Sequence, residues 1–406
     1  MPIPSNWCIR YYREMKTLIA IQNGKLITPN EVLEGKTLLI DGGKIIGIVE
    51  NIANAKSVID AQGRYVMPGM IDIHSDKIEQ FIQPRPTAQM DFELALKECE
   101  RELLMLGITT MYHSISLYQD EFFGKSPLRT KDSVQRLANL VGSIHSRNHL
   151  IHHRFHLRIE IDNLAAYDIA KAMIEGGMVH EISFMDHTPG QGQYRDLAIY
   201  MDTISKYHGR EIENLGVEGV VAYHRNKPMI SFEQLKELAD LAHAKGIAVA
   251  SHDDDVVEKL VINRALGVDI SEFPILIDTA KAARSMGFYT VVGAPNILMG
   301  ASHSGNMSAA EAICEGCADI ICSDYYPPSM LHGVFSMVRN HGLSLPEMVN
   351  KATLNPARAV KIDQNYGSIE VGKAADLIIV EELDGYPVLT DALVDGQLAV
   401  HVAYRR

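Results

Sequence analysis

Short apolar segments alternate with amphipathic segments through the central part of the chain. The amphipathic ones, such as FELALKECERELLMLG and SFEQLKELADLAHAKG, have the spacing of helices and end at a glycine. The apolar ones are candidate strands, at residues 66–74, 108–114, 155–161, 180–185, 247–252, 269–273, 289–293 and 319–323. Because strands that alternate with helices form parallel sheets, and eight strands are enough to close one, this pattern predicts a (β/α)8 TIM barrel of the α/β class.

The two ends of the chain have a different pattern. Residues 17–60 consist of short β-rich pieces separated by NG and GG turns, and GSIEVGKAADLIIVEE and LVDGQLAVHVAY repeat this pattern near the C-terminus. Neither end alone has enough strands to bury the face of a sheet. We therefore expect a small β-sandwich domain built from both chain ends, residues 1–66 and 361–406, beside a barrel formed by residues 67–360.

The composition narrows the classes of function. The net charge of −13 over 406 residues disfavours a nucleic-acid or anionic-membrane partner. There is no apolar run of about 18 residues to cross a bilayer, and the first 14 residues lack the core of a signal peptide. Five cysteines disfavour a disulfide framework, and Cys314 and Cys317 are interpreted as helix packing because a structural zinc would need a second pair. We expect a cytoplasmic protein.

One apolar segment, MPGMIDIHSD at 67–76, ends in a group of ionisable residues. In a barrel, the carboxyl ends of the strands surround the active site, and alternate residues point inward. Asp72, His74 and Asp76 share one parity, while Ile71 and Ile73 take the other. We therefore expect His74 and Asp76 to project into the barrel mouth, close enough to share a cation.

Other predicted strands end in the same way. Glu160 shares a strand face with Arg158, and His187, His252 and Asp324 each stand at a strand end. With the His-x-Asp pair these make six imidazole and carboxylate groups, which are costly to bury unless hydrogen bonds or a cation offset their charge. Two divalent ions about 3.5–4 Å apart, joined by a bridging carboxylate, use such a mixture of ligands. Imidazole and carboxylate ligands suit zinc, manganese or iron.

Eight motifs, in chain order, give the chain a resemblance to a known family. PGMIDIH and the late aspartate of CSD are similar to motifs of the amidohydrolase superfamily. More closely, HSDKIEQFIQPRP, HLRIE, MDHTPGQGQY, ASHDD, EFPI, GAPNI, SHSGN and SDYYP resemble the motifs of the PhnM family, the alpha-D-ribose 1-methylphosphonate 5-triphosphate diphosphatases of the carbon-phosphorus lyase pathway. The resemblance covers nearly the whole chain from about residue 17.

This resemblance implies a metal-bearing barrel with a β-sandwich, and an enzyme that hydrolyses a ribose 5-triphosphate to the 5-phosphate and pyrophosphate. It also implies a homodimer and two divalent metal ions, with zinc preferred and manganese or iron as the alternatives. The metal ligands implied by the matching motifs are His74, Asp76, Glu160, His187, His252 and Asp324. Glu160 would bridge the two ions, and Asp324 would also orient the attacking hydroxide and take its proton.

A triphosphate also requires cations and hydrogen-bond donors. We expect Arg85, which lies between two prolines, to bind it, together with His303, Ser304 and Asn306 in the ASHSGN loop. Arg158 is interpreted either as an ion-pair partner of Glu160 or as a phosphate contact. The pair that follows His252, residues 253–254, either orients that histidine or begins a helix.

Two departures from the family pattern affect the choice of substrate. Lys77 stands where the family tends to have asparagine, and Gly192 stands where it often has a basic residue, so that one loop would lose a cation that another gains. Such an exchange either preserves phosphate binding or indicates a shifted substrate. The main alternative is an amidohydrolase or deaminase that acts on a C–N bond of a small cyclic substrate. A metal-free scaffold protein is a second alternative, but it would be expected to have lost its ligands. The long connection at 191–246 is a candidate lid.

Overall fold

In the computed structural model, the described residues are 18–50, 52, 55–118, 126–186, 219, 222–223, 226–300 and 306–405. They form an eight-stranded parallel barrel and two further sheets. The extent of the domains, 1–66, 67–360 and 361–406, stays a prediction.

The barrel strands pair in chain order, each parallel to the next. They are β8 (Met70–Ser75), β9 (Ile108–Leu117), β10 (His152–Glu160), β11 (Glu181–Met185), β12 (Ala248–His252), β13 (Ile270–Glu272), β14 (Tyr289–Gly293) and β15 (Ile320–Cys322). A parallel bridge between Ser75 and Asp324 closes the ring between the first and last strands. The predicted barrel is therefore confirmed.

β10 begins three residues earlier than the pattern predicts. Residues 152–154 are polar in sequence, yet His153 is fully buried. Its ring contacts His113 Nε2 at 2.9 Å and Glu100 Oε2 at 3.1 Å, so that polar partners, rather than an apolar pattern, stabilise this part of the strand.

Helices surround the barrel. They are α1 (Lys77–Ile82), α2 (Phe92–Met105), α3 (Lys131–Ile144), α4 (Ala165–Glu175), α5 (Phe232–Ala244), α6 (Val257–Leu266), α7 (Ile277–Ser285), α8 (Ala294–Met299), α9 (Ala309–Cys314), α10 (Ser329–His341), α11 (Leu345–Ala352) and α12 (Leu354–Ala359). Side chains begin several of them: Asp91 accepts bonds from two backbone amides at the start of α2, and Ser231 and Gln234 form a capping box at α5. In the described part of the chain, none of the helices is long and apolar enough to cross a membrane.

Both chain ends contribute to the β domain, as expected. Its strands are β1 (Ile19–Gln22), β2 (Lys25–Ile27), β3 (Val32–Leu33), β4 (Thr37–Asp41), β5 (Lys44–Val49), β6 (Ser57–Asp60), β7 (Tyr65–Pro68), β16 (Leu377–Leu383), β17 (Tyr386–Val394) and β18 (Gln397–His401). One sheet has the order β5-β4-β1-β6 and the other the order β18-β17-β16-β7-β2-β3. β7 pairs with β16, which joins the two ends of the chain. Gly69 then leads into the barrel, where a Cβ would lie 2.2 Å from Thr109 Oγ1, so no larger residue fits without a shift.

An ion pair joins the amino end of β10 to the β domain. His152 Nε2 lies 2.9 Å from Asp376 Oδ2 and 3.9 Å from Asp395 Oδ1. Burial and the charge of Arg154 lower the pKa of His152, but the two carboxylates outweigh them and the pKa is raised. Because the pKa is higher in the folded state, this pair contributes stability that is fully present below the unfolded pKa of about 6.5 and is lost as pH rises through the folded pKa.

Asp376→Asn should remove this pH-dependent part of the stability. We expect the free energy of unfolding at pH 6 to fall by about 1–3 kcal/mol, with a smaller loss at pH 9, because the variant keeps an acceptor but loses the charge. Urea denaturation at the two pH values measures this difference. Asp384→Asn, in an exposed turn of the same domain, is the control. If Asp376→Asn and the wild type lose the same stability between pH 6 and pH 9, the ion pair does not have this role.

Candidate active site

The first and last barrel strands bring three predicted site residues together. The backbone amide of Asp324 donates to the carbonyl of His74 at 3.0 Å, and the amide of Asp76 donates to the carbonyl of Asp324 at 3.1 Å. Asp324 has a positive φ of 57°, a conformation that aspartate tolerates better than most residues. The ladder that closes the barrel therefore holds His74, Asp76 and Asp324 side by side at its mouth.

His252 joins this group from β12. Its ring centroid lies 5.3 Å from that of His74, and the ring of Phe273 packs 5.0 Å from both. Asp253 Oδ2 lies 2.9 Å from His252 Nδ1, and a carboxylate this close can orient a histidine ring. Of the two interpretations of residues 253–254, this geometry favours the one in which Asp253 orients His252.

Asp254 instead ties β12 to its neighbours. Its Oδ2 accepts bonds from Ser251 and Ser271 at 2.6 Å, and its Oδ1 accepts one from Asn263 at 2.7 Å. The helix-start interpretation is not supported, because Val256 is the N-cap of α6.

Glu160, the predicted bridging ligand, is almost fully buried at the end of β10. Its Oε1 accepts a hydrogen bond of 2.6 Å from Ser116 Oγ, which fixes the carboxylate. The nearby charge of Arg129, which also pairs with Glu79 at 3.2 Å, interacts with both Glu160 and Asp76. Glu160 therefore shares its electrostatic surroundings with the His-x-Asp pair.

Burial raises the pKa values of two carboxylates at the mouth. Burial, and then the charge of Asp76, raise the pKa of Asp324 to about 7. Burial and Glu79 likewise raise the pKa of Asp76, against the opposing charges of Arg158 and Arg129. Asp76 Oδ1 is buried and has no hydrogen-bond partner in the described part of the chain. Buried carboxylates and imidazoles brought together at one barrel mouth are ligands that suit divalent cations.

Sequence reasoning missed one residue of the mouth, Glu272. Its Oε1 lies 2.8 Å from His74 Nδ1, and both side chains are buried. Glu272 ends β13 as His252 ends β12, in the EFPI motif, so the strand-end rule that found the other residues also applies to it. Burial, followed by the charges of Arg158 and His252, holds the pKa of His74 well below its ordinary value, which keeps the ring neutral as a metal ligand requires.

The other predicted site residues are placed only in part. His187, His303 and Ser304 lie outside the described residues, as do Gly192 and most of the candidate lid. Asn306 is half-buried ahead of α9, and Arg85 is exposed in the loop between α1 and α2. The positive charge of Arg158 acts on His74, Asp76, Glu272 and Asp324.

Lys77 contacts side chains of two neighbouring helices. Its Nζ pairs with Glu102 Oε1 at 2.9 Å and lies 5.5 Å from the centre of the Phe81 ring. The side chain therefore packs between α1 and α2, where its charge is paired.

The chain is similar to known proteins along most of its length. The sequence pattern of the amidohydrolase family matches residues 65–400. The alpha-D-ribose 1-methylphosphonate 5-triphosphate diphosphatase of Escherichia coli K12 is 31% identical over 90% of this chain and 96% of its own length. An imidazolonepropionase of Thermoplasma volcanium is 21% identical over 88% of this chain and 86% of its own. N-acetylglucosamine-6-phosphate deacetylase from Pasteurella multocida has a similar structure, with a TM-score of 0.62, 14% identity and coverage of 94% of this chain and 99% of that one.

Proposed function

The chain belongs to the amidohydrolase family, and we propose that it is a metal-dependent hydrolase that cleaves a ribose 5-triphosphate to the 5-phosphate and pyrophosphate. The observation that carries this proposal is the convergence of His74, Asp76 and Asp324 with His252 at the barrel mouth. The substrate class comes from the Escherichia coli relative, whose name specifies alpha-D-ribose 1-methylphosphonate 5-triphosphate.

Six residues would hold two divalent ions, zinc or else manganese or iron: His74, Asp76, Glu160, His187, His252 and Asp324. When bound, the ions supply a hydroxide at neutral pH and offset the charge of the phosphate oxygens. Asp324 orients the attacking water and takes its proton. Ser116 holds Glu160 through a hydrogen bond, and the Asp253 carboxylate lies beside His252. Closely placed, rigid groups of this kind lower the barrier by positioning the water.

Three arginines would bind the triphosphate or offset its negative charge. Arg158 and Arg129 place positive charge among the carboxylates of the mouth, which reduces the repulsion that a polyanion would meet there. Arg85 is exposed in the loop between α1 and α2, and we assign it to the phosphates farther from the sugar, together with the donors at 303, 304 and 306.

Arg85→Ala should therefore weaken substrate binding more than turnover. We expect KM for the triphosphate to rise by about 10-fold, the cost of one charge-assisted hydrogen bond, while kcat changes little. Steady-state kinetics with Arg101→Ala, an exposed arginine of α2, as the control variant measures this effect. An unchanged KM would remove Arg85 from the binding site.

The second candidate function is hydrolysis of a C–N bond in a small cyclic substrate. It is favoured by the 21% identity to an imidazolonepropionase, and such an enzyme would use the same ligands without needing Arg85. The deciding experiment incubates the metal-loaded protein with ribose and nucleoside triphosphates and, in parallel, with a panel of cyclic amides. Release of pyrophosphate supports the diphosphatase. Release of orthophosphate alone, or hydrolysis of cyclic amides alone, contradicts it.

A further inference from the structure

The His74 ring is held on several sides by buried groups. Its Nδ1 lies 2.8 Å from Glu272 Oε1, and the two side chains are 2% and 0% exposed. Three rings pack around it, with centroids at 5.2 Å for His156, 5.3 Å for His252 and 5.0 Å for Phe273. Because Nδ1 is committed to the carboxylate, Nε2 is the nitrogen that remains for a metal ion.

Glu272 is held in place through its backbone. Glu272 pairs with His252 on β12 and with Val291 on β14, and its carbonyl accepts the amide of Asp253 at 2.9 Å. The carboxylate therefore reaches His74 from the far side of the barrel, where the contact ties β13 to β8.

Glu272 and His74 also approach His156, and the ligand atoms of all three lie within 4.8 Å of one another. A separate metal ion held by this trio is a different interpretation of the same cluster. However, both nitrogens of His156 already have partners: Nε2 contacts Ser183 Oγ at 2.9 Å, and Nδ1 contacts the carbonyl of Ile73 at 3.0 Å. Neither nitrogen of His156 is therefore left for a separate ion.

We propose that Glu272 is the positioning residue of the metal site, and that its carboxylate accepts the Nδ1 proton of His74 and so holds Nε2 toward the ion. This inference rests on the proposed metal-dependent function. A carboxylate behind a ligating histidine fixes the tautomer and the orientation of the ring and makes the nitrogen a stronger ligand. The residue acts through His74 and does not touch the substrate.

Two substitutions separate positioning from a merely structural role. Glu272→Leu removes the acceptor, so we expect it to lower the affinity for one of the two ions by about 10- to 100-fold. Glu272→Gln keeps a carbonyl that can accept the Nδ1 proton, so it should recover part of that affinity. Glu181→Gln is the matched control, because Glu181 is equally buried inside the barrel and approaches His156 only at 3.7 Å.

The measurement is the affinity for zinc and for cobalt(II), by competition with a chelating dye, with thermal melting to confirm that each variant folds. We expect the affinity to be lowest in Glu272→Leu, intermediate in Glu272→Gln and highest in the wild type. Both Glu272 variants should also have an altered cobalt spectrum, with an unchanged number of ions bound at saturation. Equal affinity in all variants overturns the inference, and so does the loss of one ion at saturation in Glu272→Gln, which would make Glu272 a ligand. A wild-type protein that binds no metal would instead overturn the proposed function itself.

Discussion

Asp324→Asn should lower kcat by about a thousandfold and leave the fold intact. The carboxylate is the group that we assign to proton transfer from the attacking water, a role commonly worth about 10²- to 10⁴-fold in rate. The fold should persist because Asp324 is held through its backbone, by bonds to His74 and Asp76. Asparagine also tolerates the positive φ of 57° at this position.

The control for this variant lies at the other end of the same strand. Asp319 precedes β15 and contacts Thr290 and Arg284 rather than the mouth. Asp319→Asn should therefore change thermal stability and leave kcat near the wild-type value. Single-turnover measurements on both variants separate chemistry from product release. Turnover within a few-fold of wild type in Asp324→Asn would show that another group takes the proton.

Removal of metal should also cause a large loss of activity. After dialysis against a strong chelator, we expect activity to fall by about 100-fold or more and to return when zinc or manganese is added. Thermal stability should fall as well, because Asp76 and Asp324 are buried carboxylates whose raised pKa values show that the surrounding protein does not offset their charge. A ligand that binds only the folded state stabilises it by mass action.

Activity and melting temperature followed through chelation and re-addition test this account. Magnesium added in the same amount is the control, since an oxygen-preferring ion suits a site with histidine ligands less well. Protein stripped of metal to below a tenth of an equivalent, and still fully active, would exclude metal-dependent catalysis.

Much of the fold follows from periodicity alone. The alternation of apolar and amphipathic segments predicted all eight barrel strands, and the turn-rich chain ends predicted a shared β domain. The start of β10 was missed because His152 and His153 are polar in sequence and find buried partners only in the folded protein. A pattern of hydrophobicity contains no information about such distant partners.

Part of the candidate site also follows from the sequence, through the positions of ionisable residues at strand ends. The strand-end rule found His74, Asp76, His252 and Asp324, which the structure brings together. Glu272 satisfies the same rule but was overlooked, because a lone glutamate in EFPI has no neighbouring ligand in sequence and its partner, His74, is 198 residues away. The pairing of Lys77 with Glu102 could not be predicted either, since it depends on the packing of α1 against α2.

Anomalous diffraction from crystals of the zinc- or manganese-loaded protein tests the central claim most directly. The account predicts two peaks at the barrel mouth, roughly 3.5–4 Å apart, with His74 Nε2, Asp76, His252 and Asp324 at coordination distances of about 2.0–2.2 Å. A loaded crystal with no anomalous peak at the mouth, or with these four side chains directed away from any common centre, would contradict it.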